Sequence, residues 1–297
     1  IDRVKENAKA FNETFMNELN RVVIHGVLHL CGYNDKTETD QKIMRNLEDR
    51  VIIVTGGSGG IGIVASELMA KRGAHVVLAE LDGARAETEA DRLRGHGLNA
   101  TAIQTDVSDK ASVENMVTEV SAQLGRIDGL VNNAAMFSRV PMSRVGSLEI
   151  SESEWDKMME INVKGVWNVC SSVVPVMKAQ KYGKIVNISS GTALKGSPSR
   201  IHYVTSKAAV IGYTKSLAME VGEHNIYVNC VAPGSTLAEE NPTPEIIAVR
   251  EKAVATRCIK RVQKPEDLAG PLAFFMGPDS DFITGQTLVV DGGSCLH

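Results

Sequence analysis

No apolar run in this chain reaches the roughly 18 residues that a membrane span requires. No C-x-x-C pair occurs, and the five cysteines, Cys31, Cys170, Cys230, Cys258 and Cys295, are scattered and odd in number. Neither a disulfide framework nor a zinc knuckle is indicated, and a reducing compartment fits best. Charge of one sign is not in excess: the formal net charge is −4. Composition therefore gives no electrostatic reason to expect nucleic acid or an anionic membrane as a partner. The opening Ile1-Asp2-Arg3 is unlike a secretory signal, and there is no low-complexity segment or short-period repeat. The expectation is a cytoplasmic enzyme. What is present suits that reading: 43% hydrophobic and 23% charged residues in a chain of 297, room for one large or two ordinary domains.

The organising stretch is Thr55-Gly56-Gly57-Ser58-Gly59-Gly60-Ile61-Gly62. It follows an apolar run and opens a helical pattern, the context of a phosphate-binding turn. Small residues let the backbone approach a pyrophosphate, and the exposed N–H groups of the helix start complement its charge. Onward from Leu47, strand patterns at 51–55, 75–79, 99–104, 129–132, 184–189, 227–232 and 287–290 alternate with helical patterns. The helices are expected at 61–72, 84–95, 110–124, 153–180, 203–221 and 265–275. Such alternation predicts an α/β fold, a doubly wound Rossmann-type parallel seven-stranded sheet with helices on both faces. Ligands are then expected at the C-terminal ends of the strands.

The second strand ends at Glu80, eighteen residues past Gly62. An acid there accepts hydrogen bonds from the adenosine ribose and repels a 2′-phosphate, which favours NAD over NADP. No Lys or Arg lies within the glycine turn, although Arg85 is near in sequence. Further on, Tyr203 and Lys207 stand at i and i+4 of a helix and share one face. A free phenol has a pKa of ~10; a nearby ammonium lowers it, and reaching ~7 needs ~4 kcal/mol of differential stabilisation. A phenol so tuned serves as general acid and base at a carbinol. By itself a Tyr-x-x-x-Lys is common on helices.

Here it has company. Thr55-Gly56-x-x-x-Gly60-x-Gly62, Asn132-Asn133-Ala134-Ala135, Asn162, Ser189-Ser190, Tyr203-x-x-x-Lys207 and Pro233-Gly234 occur in that order. Together they resemble the short-chain dehydrogenase/reductase family over residues 47–297. The resemblance implies a catalytic set of Asn162, Ser190, Tyr203 and Lys207, with Ser190 on the substrate oxygen, Asn162 supporting a proton relay and Lys207 also holding the nicotinamide ribose. It implies cofactor contacts at Gly56, Ser58, Gly59, Gly60, Ile61, Gly62, Glu80, Asp106, Val107, Asn133, Tyr203, Lys207, Pro233, Gly234 and Thr236. A homotetramer follows from the resemblance, with the Trp167 and Tyr203 helices forming its dimer pair and the strand ending at Asp291 near a second interface. The sequence departs from the family at Ala135, where glycine is usual, and at Ala238, where many members carry a threonine that meets the carboxamide.

Residues 1–46 read differently. Val4, Ala8, Phe11, Phe15, Leu19, Val22 and Val23 recur at helical spacing. In His25-Gly26-Val27-Leu28-His29-Leu30-Cys31-Gly32-Tyr33, two histidines four apart share a helix face and can share a metal, with Asp35 as a third ligand. This segment resembles the C-terminal part of the YbeY-type rRNA-maturation endoribonuclease family, which binds zinc. His25, His29 and Asp35 fall on its three ligand positions, the third being histidine in most members. The sheet of that fold is missing, so a helical, non-functional appendage is expected rather than a working zinc site, which needs a rigid supporting shell. Met44-Arg45-Asn46-Leu47 reads like a natural start, and two unrelated sequences are expected to be joined there.

The sequence thus predicts an NAD(H)-dependent alcohol dehydrogenase or ketone reductase acting on a small secondary alcohol or ketone. The alternatives are a non-catalytic nucleotide-binding scaffold and zinc-dependent RNA cleavage by residues 1–46. The variable loops 136–147, 191–202 and 237–256 are expected to line the substrate pocket. Phe137, Val140, Leu194 and Ile201 point to a mostly apolar substrate, whereas Arg139, Arg144, Lys195 and Arg200 point instead to a carboxylate.

Overall fold

The strand Val51–Thr55 (β1) is buried along its whole length. Its neighbours on either side are His75–Glu80 (β2) and Gly129–Asn132 (β4), both parallel to it, with Val54 opposite Leu78 on one side and Val131 on the other. This is the structure shown by a computed structural model that describes residues 46–137, 140 and 142–296. Ala100–Gln104 (β3), Gly183–Ile188 (β5), Ile226–Pro233 (β6) and Thr287–Val290 (β7) complete a seven-stranded sheet of order β3-β2-β1-β4-β5-β6-β7. Every pairing in it is parallel. The order reverses between β1 and β4, and such a switch point leaves a crevice at the strands' C-terminal ends.

Parallel strands covered on both faces are apolar at nearly every position, and β1 shows why. Ile52 and Val54 face one layer, with Met69, Leu268 and Leu272. Those residues belong to the helices Gly60–Lys71 (α1) and Glu266–Met276 (α9). Val51 and Ile53 face the other layer, with Met116, Val169, Val173 and Val210. These come from Lys110–Leu124 (α3), Gly165–Gln180 (α5) and Ile201–Val221 (α7). Each fully buried side chain of this kind contributes about 1.5–3 kcal/mol. Gly83–Gly95 (α2) connects β2 to β3. Local signals set the helix ends: Asp82 and Asp109 accept from the amides of Arg85 and Ala111, and α3 stops at Gly125 in the left-handed region (φ 74°).

The doubly wound sheet expected from the sequence is the one observed, with strand boundaries within a residue or so. Three details differ. The helix expected over 153–180 is interrupted: Glu152–Met159 (α4) is joined to α5 by a π-helical turn, Glu160–Lys164, that contains Asn162. Thr192–Lys195 (α6) and Pro244–Lys252 (α8) were not anticipated. The second was nevertheless signalled, since Thr243 caps it and proline occupies its first turn.

Leu47–His297 is a unit in its own right. Within its first residues, Leu47 is fully buried and its amide donates to the Arg72 carbonyl at 3.2 Å. The candidate metal ligands His25, His29 and Asp35 lie outside the described residues, as does the helical pattern of residues 4–23. Among the described residues there is no cluster of three or more metal-ligating side chains, and no helix is long and apolar enough to cross a membrane.

Candidate active site

Beyond the C-terminal ends of β1, β4, β5 and β6 lies a cavity of about 1060 Å³. One end is the glycine turn. Gly56 (φ 62°) and Gly60 (φ 53°) are left-handed, where a side chain is strained. Gly62 must be bare for another reason: a Cβ there would stand 2.2 Å from the Gly56 carbonyl oxygen. α1 starts directly from this turn with no side-chain cap and no acid in its first turn, so its leading amides are left for an anion.

Glu80 closes this end. It is 7% exposed, lines the cavity, and accepts from Ser58 Oγ at 2.8 Å and from the Leu81 amide at 3.0 Å. Arg85 donates to the Ser58 carbonyl at 2.9 and 2.8 Å and pairs with Glu240. Asp106, fixed by Ser108, and Val107 form the adjoining wall. Asn133 stitches the turn to β4: its side chain donates to the carbonyls of Thr55 and Gly56 at 3.1 and 3.0 Å. Pro233, Gly234 and Thr236 form the wall beyond β6.

The other end holds Tyr203, Lys207 and Ser190, all buried. Tyr203 and Lys207 occupy one face of α7, as their spacing requires. Ser190 lies beside Tyr203 and lowers the pKa of its phenol, and the Ser190 hydroxyl receives Thr192 Oγ1 at 2.9 Å. Lys207 Nζ donates to the Ile188 carbonyl at 2.8 Å. Ser189 turns the other way, its hydroxyl bonding the Lys207 carbonyl at 2.7 Å. Phe137 packs on Tyr203 with ring centres 5.3 Å apart.

Asn162 sits behind this end and is fully buried. Its amide accepts from the Met136 N–H at 2.7 Å and donates to Ser206 Oγ at 3.1 Å; Ser206 in turn donates to the Tyr203 carbonyl at 2.8 Å. The π turn aims Asn162 at both the loop after β4 and α7, and such turns are frequent at functional sites.

Burial governs the titration of this end. It pushes the Tyr203 phenol above its ordinary value, while the Ser190 side chain and the charges of Arg200, Arg250 and Arg144 pull it back. It pushes the Lys207 ammonium down to about 8. The sequence expectation of a phenol lowered by Lys207 counted the ammonium and omitted the desolvation of both groups.

Residues 56–295 match the family described as Enoyl-(Acyl carrier protein) reductase. The chain is 35% identical over 249 residues to 3-oxoacyl-[acyl-carrier-protein] reductase FabG of Thermotoga maritima, covering 83% of this chain and 98% of that protein. It belongs to the short-chain dehydrogenase/reductase family. Among other relatives of this short-chain dehydrogenase/reductase are Oxidoreductase UcpA of Salmonella typhimurium and Dehydrogenase/reductase SDR family member 4 of Bos taurus. The first is 37% identical over 263 residues, covering 85% of this chain and 97% of that protein. The second is 36% identical over 258 residues, covering 84% and 89%. The crystal structure of gox2181 superposes with a TM-score of 0.77 at 32% identity, covering 84% of this chain and 98% of that one. Residues 1–55 match the family described as Endoribonuclease YbeY.

The cavity of this short-chain dehydrogenase/reductase fits the nicotinamide dinucleotide its family uses: a turn that a Cβ would obstruct, uncapped helix amides and a buried acid stand at one end, a phenol and an ammonium at the other. Of the cofactor residues expected from the sequence, Ser58 and Gly62 do not line the cavity; they are buried behind it and shape it. Of the substrate-pocket residues, Phe137, Val140, Arg144, Lys195 and Arg200 line it, whereas Leu194 and Ile201 are 41% and 45% exposed and do not. Arg139 lies outside the described residues. Sequence reasoning placed position 250 in a pocket-lining segment without naming Arg250, which stands on α8, and missed Glu154 on α4. Glu154 accepts from the Ser143 amide at 2.6 Å and meets His202 Nε2 at 3.1 Å, tying the loop after β4 to the start of α7.

Proposed function

We propose that this protein is an NAD(H)-dependent oxidoreductase that interconverts a secondary alcohol and a ketone. The observation that carries the reading is the burial of Tyr203 and Lys207 on one helical face beside Ser190, in the same cavity as the glycine turn and Glu80. The nicotinamide, when bound, supplies or accepts the hydride. Ser190 orients the substrate oxygen by a hydrogen bond, and Tyr203 gives that oxygen its proton or removes it. The chain alone holds Tyr203 as the neutral phenol, which suits protonation of a carbonyl oxygen at neutral pH. Lys207 supplies positive charge behind the ring, and Asn162 holds Ser206 and through it the start of α7. Glu80 supports NAD over NADP, because its carboxylate is buried where a 2′-phosphate would need a counter-charge.

We extend the proposal to the organisation of the chain. Residues 47–297 are the working domain, residues 1–46 an appendage without zinc chemistry, and the assembly a homotetramer in the cytoplasm. Trp155 and Trp167, 36% and 46% exposed on α4 and α5, support a surface awaiting a partner.

Tyr203→Phe is the test. Turnover of a panel of secondary alcohols and ketones, followed at the absorbance of reduced nicotinamide, is expected to fall about 10²- to 10⁴-fold, while NADH titration by fluorescence still shows binding. Undiminished turnover rejects the mechanism, and absence of turnover in the wild type across the panel with both NADH and NADPH favours the scaffold reading.

A further inference from the structure

Acids and arginines share the cavity wall. Glu80, Asp82 and Asp106 line it together with Arg85, which is held at the Ser58 carbonyl of the glycine turn; Arg144, Arg200 and Arg250 line it with Glu239 and Glu240. The three arginines come from separate segments, the loop after β4, the residue before α7, and α8. Their convergence is therefore a property of the tertiary fold and not of one basic stretch.

Glu239 pairs with one of them, Arg250, and among the described residues the other two, Arg144 and Arg200, are left without such a partner. Glu154, which lies between their segments, is taken up by the Ser143 amide and His202. Arg250 is 7% exposed; it pairs with Glu239 and reaches Ser235 Oγ at 3.3 Å, yet its Nε has no partner. Arg200 stands in a half-buried position directly after Ser199, a non-glycine residue held at φ 60°. Burial, with the charges of Arg144 and Arg250 adding to it, pushes its guanidinium below the ordinary value, and all three line the one cavity. The same three charges act on the Tyr203 hydroxyl. Gathering like charges around a partly desolvated space costs stability that a neutral alcohol does not return. A planar oxyanion does return it, because guanidinium groups bind carboxylates through paired, charge-assisted hydrogen bonds.

We infer that the substrate carries a carboxylate, held by Arg144, Arg200 and Arg250 beside the Tyr203–Ser190 pair, so that the enzyme acts on an oxo acid or hydroxy acid. This rests on the oxidoreductase reading above and names its substrate class. The three arginines line the same cavity as the hydroxyl that exchanges a proton with the substrate oxygen and act on it through their charge, whereas the arginine beside the glycine turn, Arg85, is taken up by Ser58 and Glu240. The carboxylate is thus placed on the substrate and not on the cofactor.

The experiment compares matched pairs, acetoacetate with methyl acetoacetate and 4-oxopentanoate with methyl 4-oxopentanoate, on the full chain with NADH and with NADPH. Wild type is expected to prefer the acid of at least one pair. In Arg144→Gln and in Arg200→Gln the acid-over-ester ratio of kcat/KM is expected to fall roughly 10- to 100-fold, with the KM for the cofactor holding. Two exposed or half-buried sites are used so that one misfolded variant does not decide the matter. Equal or better use of every ester by wild type overturns the inference and leaves hydride transfer standing. A raised cofactor KM with an unchanged ratio also overturns it, assigning the arginines to a cofactor phosphate. If neither pair is turned over, thermal shift with succinate decides. Stabilisation of wild type that both variants lose upholds the anion site while the oxidoreductase reading fails, and no stabilisation overturns the inference.

Discussion

The Lys207 ammonium stands 5.9 Å from the centre of the Tyr203 ring while its hydrogen bond goes to the Ile188 carbonyl. Lysine is thus placed to act on the phenol through its charge and is anchored elsewhere. Burial sets its pKa at about 8, against 10.5 for the free side chain. Below pH 8 both the folded and the unfolded chain carry this proton. Between about pH 8 and 10.5 only the unfolded chain keeps it, so this group makes the protein more stable as pH rises through that window. Lys207→Met has no such proton. The denaturation midpoint of wild type minus that of Lys207→Met is expected to increase from pH 8 to pH 10, and turnover of the variant to fall about 10²-fold or more. A difference that is flat or decreasing contradicts the buried-charge account.

Cofactor choice turns on Glu80. Its carboxylate is held by Ser58 and the Leu81 amide, and the adjoining Arg85 is occupied by the Ser58 carbonyl and Glu240. Glu80→Ala removes the acceptor and the negative charge together. The KM for NAD is expected to rise roughly 10-fold, the KM for NADP to fall, and the preference between them to narrow or invert, as steady-state kinetics with both cofactors will show.

Glu154 positions the loop that carries Arg144. The Ser143 amide holds its carboxyl below the usual range, with His202 adding to the effect. A depressed carboxylate contributes stability that is present at neutral pH and lost as pH falls through its folded value. Glu154→Gln is expected to raise the substrate KM roughly five- to tenfold with kcat little changed, and to lose less of its thermal stability than wild type as pH falls from about 5 to about 3. A fall in kcat at constant KM argues against a positioning role.

Gly62 is packed against backbone. An alanine Cβ there meets the Gly56 carbonyl at 2.2 Å and Asn133 Nδ2 at 2.8 Å, and neither can withdraw without opening the turn. Gly62→Ala is expected to cost about 1–3 kcal/mol in urea unfolding and to weaken NADH binding. By contrast Gly95→Ala, where no atom lies within 4 Å of the added Cβ, is expected to leave both unchanged.

The alternation of strands and helices, the glycine turn and the Tyr203–Lys207 spacing were legible in the sequence because each is a short-range pattern. A period of two or 3.6 and an i, i+4 face are fixed by backbone geometry wherever the chain goes. The acid at the end of β2 was legible for the same reason, since counting from the turn locates the strand's edge. The π turn at Asn162 was not, because what holds it are bonds to Met136 and Ser206, 26 and 44 residues away. Nor was the sign of the Tyr203 shift: the sequence shows the neighbouring ammonium, whereas the dominant effect is loss of water, which depends on everything packed around the ring. The sequence offered Arg144 and Arg200 as one of two readings of the pocket, beside the apolar one, and did not single out Arg250. Only the tertiary structure decided that they meet, because charges far apart along the chain have no pattern in it, and their energy depends on distance and desolvation in space.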